Sequence, residues 1–336
     1  MQIATGTYAG NGLDNRAITG VGFAPDLVLI KSASIDVAVW KSSTLTGDNT
    51  SLLNEPLGTQ ADHIQSLDSD GFTVGTHSRV NSSGITYYWI AFQEAAADFN
   101  EGSYIGNDVD NRNITTPNFQ PTFVYVKNLN GGDEGVLKTD QNTGDDTIQF
   151  NTISPPGVTN KIQSLTSTGF QVGTLAAVNR NGDTYYYWAF ISVTGRFTTG
   201  TYTGNGSDSR SITGVGFQPD IVVVKQTSGS TGVGAVMSTS AMSADSTALL
   251  NGGTNASNVI QALESDGFQV GTRSEVNTNG ATYIYLAWKN TASGGTTTST
   301  STSTTTSSST STSTSTTSTS SSTTSTSTST TSTSSS

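Results

Sequence analysis

The sequence predicts an all-β protein of three tandem β-sandwich, jelly-roll-like domains followed by a disordered Ser/Thr tail. Three observations predict this fold class: motifs that recur about every 98 residues, an apolar pattern with a period of two, and a final stretch of Ser and Thr alone. Thr, Val, Ile and Tyr are frequent, and 36 glycines supply many turns. This composition favours strands over helices.

One motif opens each repeat. Asn11, Asp14 and Arg16 follow Tyr8, and the same order returns twice further along the chain. The counterparts are Tyr104, Asn107, Asp110 and Arg112, and then Tyr202, Asn205, Asp208 and Arg210. A period near 98 residues is that of a self-sufficient domain and is too long for a solenoid unit. We therefore predict separate beads on a string, which are repeat 1 at 1–98, repeat 2 at 99–196 and repeat 3 at 197–290.

Within each repeat the apolar pattern is that of strands. The runs 27–30 and 221–224 are short and β-branched, as in buried strands. Asn and Gly near 80–87 predict a hairpin turn, and the aromatic segment after it should form a central strand. The stretch 64–67 is interpreted as one short helical turn.

The tail, at 291–336, is predicted to be disordered. Every residue from Thr296 to Ser336 is Ser or Thr, so the tail has no apolar surface whose burial could offset the entropy of ordering it. Its composition is typical of a flexible linker or an O-glycosylated stalk.

Charge and cysteine content exclude several classes of protein. The net charge is −11 and the 14 basic residues are scattered, which argues against nucleic acid as a partner. The absence of cysteine excludes disulfides and thiolate metal sites. No stretch approaches the ~20 apolar residues of a membrane span, so we predict no membrane insertion.

The inventory of reactive residues argues against an enzyme. The two histidines, His63 and His77, both lie in repeat 1, so no Ser-His-Asp constellation recurs. Paired carboxylates could hydrolyse a glycosidic bond, but only one acid recurs in each repeat, beginning with Asp14. We predict no catalytic residue and no cofactor.

The opening motif is the candidate ligand-binding site. Asn and Asp side chains could bind a carbohydrate or Ca²⁺, but calcium needs six or more oxygens, so no metal site is predicted. The candidate residues are Asn11, Asp14, Arg16, Asn107, Asp110, Arg112, Asn205, Asp208 and Arg210. The alternative is an Asx turn pinned by an Asp14–Arg16 contact or by a backbone hydrogen bond.

Two further features have alternative interpretations. The rings of Tyr87, Tyr88 and Trp89 could present a sugar-stacking platform, although half of an alternating strand must face the core. A lysine ends one apolar strand in each repeat, and we interpret these residues as solvated. They are Lys31, Lys127 and Lys225.

The repeated pattern Gly-Asn-Gly-x-Asp-x-Arg, followed by Gly-Phe-x-Pro-Asp and later by Asp-Gly-Phe-x-Val-Gly, resembles a known but uncharacterised β-domain. That domain occurs in tail-fibre-like and other structural proteins of tailed bacteriophages. Repeat 2 departs from the pattern, because Thr122 stands where repeats 1 and 3 have Asp26 and Asp220, and 116–118 is Thr-Pro-Asn. The resemblance implies a virion or surface role and no catalytic residues.

We therefore expect an extracellular or virion structural or attachment module. The expected partners are a host-surface glycan or protein, or neighbouring structural subunits, and the protein could form a homo-oligomer. The alternatives are a carbohydrate-binding appendage of a surface protein or secreted enzyme, and a subunit of an extracellular filament that assembles through edge strands.

Overall fold

The computed structural model of the chain describes residues 1–95, 97–130, 132–151, 159–229 and 233–291. Within them the chain is almost entirely β-structure, in six antiparallel sheets, which confirms the predicted fold class. The predicted disordered tail lies outside the described residues, apart from Thr291. No helix among the described residues is long and apolar enough to cross a membrane.

The repeats share one succession of strands and one short helix, except that repeat 2 has only an isolated bridge, between Leu137 and Ile148, where repeats 1 and 3 have a two-residue strand. Repeat 1 contains β1 (Gln2–Ala9), β2 (Arg16–Thr19), β3 (Leu27–Ser32), β4 (Val39–Ser42), β5 (Ser51–Leu52), β6 (Ile64–Asp68), β7 (Gly71–Val74), α1 (Ser78–Asn81) and β8 (Thr86–Gln93). Repeat 2 contains β9 (Phe99–Ile105), β10 (Arg112–Ile114), β11 (Phe123–Asn128), β12 (Val136–Thr139), β13 (Ile162–Thr166), β14 (Gly169–Val172), α2 (Ala176–Asn179) and β15 (Thr184–Phe190). Repeat 3 contains β16 (Phe197–Thr203), β17 (Arg210–Thr213), β18 (Ile221–Gln226), β19 (Val236–Thr239), β20 (Ala248–Leu249), β21 (Ile260–Glu264), β22 (Gly267–Val270), α3 (Ser274–Asn277) and β23 (Thr282–Trp288).

Two sheets pack against each other in every repeat. In repeat 1 the large sheet has the order β1-β8-β3-β4-β5 and the small sheet has the order β2-β7-β6. The large sheets of repeats 2 and 3 are β12-β11-β15-β9 and β16-β23-β18-β19-β20, and the small sheets are β10-β14-β13 and β17-β22-β21. The aromatic strand lies between two others in each large sheet, as its sequence predicts.

A private core fills the space between the two sheets of each repeat. In repeat 1, Tyr8 stacks on Tyr87 with ring centroids 5.1 Å apart, and Phe72 meets Trp89 edge-on at 5.9 Å. Gly6 pairs with Trp89 across β1 and β8, and a Cβ atom at Gly6 would lie 2.5 Å from that indole ring. The glycine thus lets the ring lie flat over the neighbouring strand. Gly102 and Gly200 make the same approach to Tyr187 and Tyr285.

The other face of every large sheet packs into a shared core, to which all three repeats contribute. Along β8, Tyr87, Trp89 and Ala91 point into the private core, whereas Tyr88, Ile90 and Phe92 point into the shared core. The prediction of separate beads is therefore wrong. A sheet with two apolar faces cannot leave one of them in water, and the neighbouring repeats cover it.

The shared core has approximate threefold symmetry. Phe92, Phe190 and Trp288 occupy the same position in the three aromatic strands and meet one another with ring centroids 5.1, 5.8 and 5.8 Å apart. Each repeat therefore touches both others, and the three repeats form one compact unit.

Hydrogen bonds between repeats close this arrangement into a ring. The Tyr125 hydroxyl of repeat 2 donates to the Leu53 carbonyl of repeat 1 at 2.7 Å. The amide of Ala235 in repeat 3 donates to the carbonyl of Phe150 in repeat 2, also at 2.7 Å. The amide of Ala38 in repeat 1 donates to the carbonyl of Leu250 in repeat 3 at 3.3 Å. The direction is the same each time, so the contacts are head-to-tail and return to the first repeat.

The aromatic strands run between two faces of the ring. Gln93 at the end of β8 pairs with Gln2, whereas Thr86 at its start pairs with Ala9. We call the end that holds Gln2 and Gln93 the proximal face. The opposite end, the distal face, comprises loops 10–15, 33–38 and 82–85 of repeat 1, loops 106–111, 129–130, 132–135 and 180–183 of repeat 2, and loops 204–209, 227–229, 233–235 and 278–281 of repeat 3.

Two local predictions fail. Residues 64–67 form part of strand β6, which pairs with β7, and not a helical turn. Val80 and Asn81 lie in α1, so the segment before β8 is a helical turn followed by a tight turn and not a two-stranded hairpin. In both places tertiary contacts override the conformation that the local sequence favours, because Ile64 and Val80 are fully buried in the private core.

Candidate functional site

The opening motif lies in the loop between β1 and β2, on the distal face. The amide of Gly10 donates to the Ile85 carbonyl at 2.7 Å, and the amide of Gly84 donates to the Gly10 carbonyl at 3.0 Å. The motif loop is thereby fixed to the turn before β8. The loops at 106–111 and 204–209 are fixed in the same way in repeats 2 and 3, through the amides of Gly106, Gly182, Gly204 and Gly280.

The first candidate, Asn11, forms an Asx turn. Its side-chain oxygen accepts a hydrogen bond from the amide of Leu13 at 3.0 Å. The counterparts Asn107 and Asn205 accept from Val109 and Ser207 at 3.0 and 2.9 Å. The Asx turn that the sequence offered as the alternative is therefore present in all three repeats.

The arginine of the motif lies over a buried tyrosine. The Arg16 guanidinium is 5.1 Å from the centre of the Tyr8 ring, and its Nη1 donates to the Ala9 carbonyl at 2.5 Å and to Asn81 Oδ1 at 3.1 Å. Burial of Tyr8 raises its pKa well above the usual 10. Arg112 and Arg210 repeat these contacts over Tyr104 and Tyr202.

A buried asparagine organises each motif loop. Asn81 is fully buried; its Oδ1 accepts from the amide of Asn11 at 3.0 Å, and its Nδ2 donates to the carbonyls of Leu13 and Gly75 at 2.7 and 2.9 Å. Its counterparts are Asn179 and Asn277. Sequence reasoning missed this residue, although a Val-Asn pair recurs before each Gly-containing turn.

The motif aspartate does not contact the arginine among the described residues. Asp14 Oδ1 accepts from Gln65 Nε2 at 2.8 Å, and the counterparts Asp110 and Asp208 accept from Gln163 and Gln261 at 2.9 Å each. The described residues contain no cluster of three or more His, Cys, Asp or Glu side chains that could hold a metal ion. The three candidates of each repeat therefore lie in or beside one loop, and their polar groups bond within that loop or to neighbouring elements of the same repeat.

Apolar side chains are exposed around the motif loops. Leu13 is 64% exposed, Val109 is 55% exposed at the equivalent position, and Ile105 beside it is 61% exposed. Ile35, in another loop of the distal face, is 72% exposed. These four belong to the six large apolar side chains that are exposed among the described residues, so the distal face holds most of that exposed apolar surface.

The aromatic strand does not offer a platform for sugar rings. Tyr87, Tyr88 and Trp89 are 0%, 8% and 1% exposed, because both faces of β8 are covered. Stacking of a sugar needs an accessible ring face. The interpretation of half of this strand as a binding surface is therefore wrong.

The strand-end lysines are also buried, contrary to the prediction. Lys31, Lys127 and Lys225 are at most 1% exposed, and burial lowers the pKa of each to about 8. The Lys31 ammonium donates to the carbonyls of Ser34 at 2.8 Å and of Gly253, in repeat 3, at 3.2 Å. Lys127 and Lys225 donate to the carbonyls of Asp133 and Val233. Each lysine therefore holds the loop that follows its strand.

The two histidines of repeat 1 stack on each other with ring centroids 3.8 Å apart. His63 is buried, and burial lowers its pKa to about 4. His77 Nδ1 accepts from the amide of Arg79 at 3.2 Å and thereby caps α1. Both rings thus contribute to packing at the start of this helix.

Open grooves that are lined by both polar and apolar residues occur at equivalent positions in repeats 2 and 3. The groove of repeat 2 has a volume of about 510 Å³ and is lined in part by Gln120, Asp140 and Asn142. The groove of repeat 3, of about 320 Å³, is lined in part by Gln218 and Ser240. Neither groove includes an aromatic ring in its lining.

Comparison with known protein families identifies the repeated unit. A family model described as a domain of unknown function (DUF7483) matches the chain in three tandem copies, at residues 2–98, 94–196 and 192–336. No curated protein and no solved structure matches the chain.

Proposed function

The chain belongs to the family of the domain of unknown function DUF7483, and on that premise we propose that it is a structural or attachment module of a virion or of an extracellular surface. The observation that carries the proposal is that the two faces of the ring hold different features. Residues at both ends of the described chain, Ile3 and Thr291, hydrogen-bond to each other on the proximal face. Three copies of one loop set lie on the distal face.

This arrangement suits attachment because it presents related loops of all three repeats on one face of the ring. Weak contacts that are repeated around the ring can raise avidity by ~10²–10⁴ over one contact when they engage together. The exposed apolar side chains Leu13, Val109 and Ile35 are the contact residues that we propose, since exposed apolar side chains gathered on one face mark interaction surfaces. Repeat 3 carries Ser207 at the position of Leu13 and Val109.

Localisation and a pair of matched variants test the proposal. Immunogold labelling with an antibody against residues 1–291 should decorate virions or the cell surface, and gold confined to the cell interior would contradict it. The fluorescently labelled full chain should bind intact host cells, and Leu13→Ser combined with Val109→Ser should weaken that binding at least tenfold. Gln2→Ser combined with Gln93→Ser, on the proximal face, is the control that should leave binding unchanged.

A carbohydrate-binding appendage is the second candidate. The equivalent grooves of repeats 2 and 3 favour it, because their amide, hydroxyl and carboxylate groups are the kinds that hydrogen-bond to sugars. A glycan array probed with the full chain separates the two candidates. Binding that is lost on Gln120→Ala with Gln218→Ala, and kept in the distal-face variant, would favour the groove.

A further inference from the structure

The contact between repeat 3 and repeat 1 copies the two joints that the chain spans. In the internal joints, Phe99 and Phe197 form β-bridges with Ala95 and Val193. Ile3 occupies the position of these phenylalanines in repeat 1, and the amide of Thr291 donates to its carbonyl at 3.0 Å. The amide of Ile3 in turn donates to Thr291 Oγ1 at 2.9 Å.

The position of Thr291 in its repeat matches the two internal joints. It follows Trp288 by three residues, as Ala95 follows Phe92 and Val193 follows Phe190. The end of repeat 3 therefore meets the start of repeat 1 as if another copy of the repeat came next.

The packing surfaces at the three junctions are also equivalent. Leu53, Phe150 and Leu250 occupy equivalent positions, and each offers its carbonyl to the next repeat around the ring. All three side chains lie in the shared core. A head-to-tail interface of this kind is heterologous, and the same pair of surfaces serves at every junction.

The third junction also has contacts of its own. Asn54 Nδ2 donates to the Leu250 carbonyl at 2.9 Å, the Gly253 amide donates to the Ile35 carbonyl at 3.0 Å, and Asn255 Nδ2 donates to the Tyr88 hydroxyl at 3.1 Å. These bonds join repeat 3 to repeat 1 without any connecting segment among the described residues. This junction, which we call the seam, is therefore held by non-covalent contacts.

We propose that the seam is an interaction site for a copy of the same repeat, and that any of the three junctions can serve as the seam. If the seam opens, it exposes a surface that fits another DUF7483 repeat. That repeat can belong to the same chain or to a second one. Closure within one chain is favoured because the connected repeats are held at a high effective concentration.

A circular permutant tests whether the seam can move. The permuted chain would begin with Arg196 to Thr291. An inserted Thr-Gly-Arg, which copies 194–196, would join Thr291 to Ile3. The chain would then run from Ile3 to Thr194 and end with 292–336. We expect a monomer whose melting temperature lies within a few degrees of that of the natural order. A permutant that folds into a different compact state or forms only disordered aggregates would overturn the proposal, provided the cleavage experiment below agrees.

Cleavage of the folded chain provides the second measurement and does not depend on refolding. A protease site inserted between Thr194 and Gly195 lies at an exposed position, where a Cβ on the glycine would meet no atom within 4 Å. After cleavage we expect native mass spectrometry to show both fragments in one particle. Separation into free fragments would overturn the proposal.

Isotope mixing then tests whether the seam accepts a repeat from a second chain. Cleaved protein grown on ¹⁵N is mixed with cleaved unlabelled protein in mild denaturant and returned to buffer. We expect particles of hybrid mass, in which repeat 3 of one molecule docks on repeats 1 and 2 of another. Recovery of the two parental masses alone, with fragments still associated, would show that the seam does not accept a copy from another molecule.

Discussion

At the residue scale, the three repeats fill one position of the shared core with side chains of different size. Repeat 2 has Tyr125 and Gly135 where repeat 1 has Leu29 and Ala38, and the Tyr125 hydroxyl lies 2.1 Å from where a Cβ atom of Gly135 would be. Repeat 3 has Val223 and Ala235 at these positions. A large side chain in the shared core therefore requires glycine beside it, and a smaller one permits alanine.

Gly135→Ala is predicted to destabilise the chain by ~1–3 kcal/mol, because the new methyl group overlaps the Tyr125 hydroxyl. Urea unfolding of the purified chain measures this loss. Adding Tyr125→Leu to Gly135→Ala recreates the pairing of repeat 1, so we expect the double variant to be more stable than Gly135→Ala alone. Additive losses in this double-mutant cycle would refute the coupling.

The buried asparagine leads to a second residue-scale prediction. Asn179→Ala leaves the carbonyls of Val109 and Gly173 without their donor, and an unsatisfied buried group costs ~1–3 kcal/mol. Thermal unfolding should show a loss of at least ~1 kcal/mol. Asn113→Ala, at an exposed position on β10, is the matched control and should change stability by less than ~0.5 kcal/mol. Equal effects of the two substitutions would contradict the role of Asn179.

Recurrence in the sequence could identify Asn11, Asp14 and Arg16 as a unit but could not identify their partners. Arg16 and Asn81 are 65 residues apart in the chain and meet only because β8 returns beside β1. The Val-Asn pair is recognisable in each repeat, yet an Asn before a Gly-containing turn is expected on turn chemistry alone. Burial, which distinguishes the two roles, depends on the fold of the whole repeat.

At the element scale, the strands were predictable and the covering of their outer faces was not. The apolar run of β3 and the aromatic run of β8 are continuous and not alternating, a pattern that is typical of strands buried on both faces. The pattern shows that a second covering layer exists but does not say what supplies it. Here the layer comes from the other repeats, and it leaves Tyr88 and the strand-end lysines buried.

Those lysines make stability depend on pH. The pKa of Lys31, Lys127 and Lys225 falls from the usual 10.5 to about 8 on folding, so the unfolded chain binds more protons between these values. The free energy of unfolding should therefore rise with pH from about 8, by at most ~1.4 kcal/mol per pH unit for each lysine. Above about pH 10 the raised pKa values of Tyr8, Tyr104 and Tyr202 reverse the trend, because the unfolded chain then loses protons first.

Urea unfolding at pH 7.5, 8.5 and 9.5 measures this slope. Lys127→Met should make the slope shallower, whereas Lys289→Met, at an exposed position, should leave it unchanged. Stability that is flat or falls between pH 8 and 9.5 would be inconsistent with a lysine pKa that burial lowers to about 8.

At the scale of the whole molecule, the shared core couples the three repeats. Phe190 contacts Phe92 of repeat 1 and both Phe197 and Trp288 of repeat 3. Phe190→Ala should cost ~3–5 kcal/mol, and hydrogen exchange should show equal losses of protection in β8 and β23. Leu175→Ser, at a partly exposed apolar position, is the control for repeat 2. Loss of protection confined to repeat 2 would mean that the repeats unfold independently.

The central claim is that three repeats of one chain close around a single core. Small-angle X-ray scattering of residues 1–291 tests it most directly, because a compact body of this length has a radius of gyration of about 19 Å. We predict a value near this one and a distance distribution with a single maximum. A markedly larger radius, with the separate maxima of three bodies in a row, would contradict the claim.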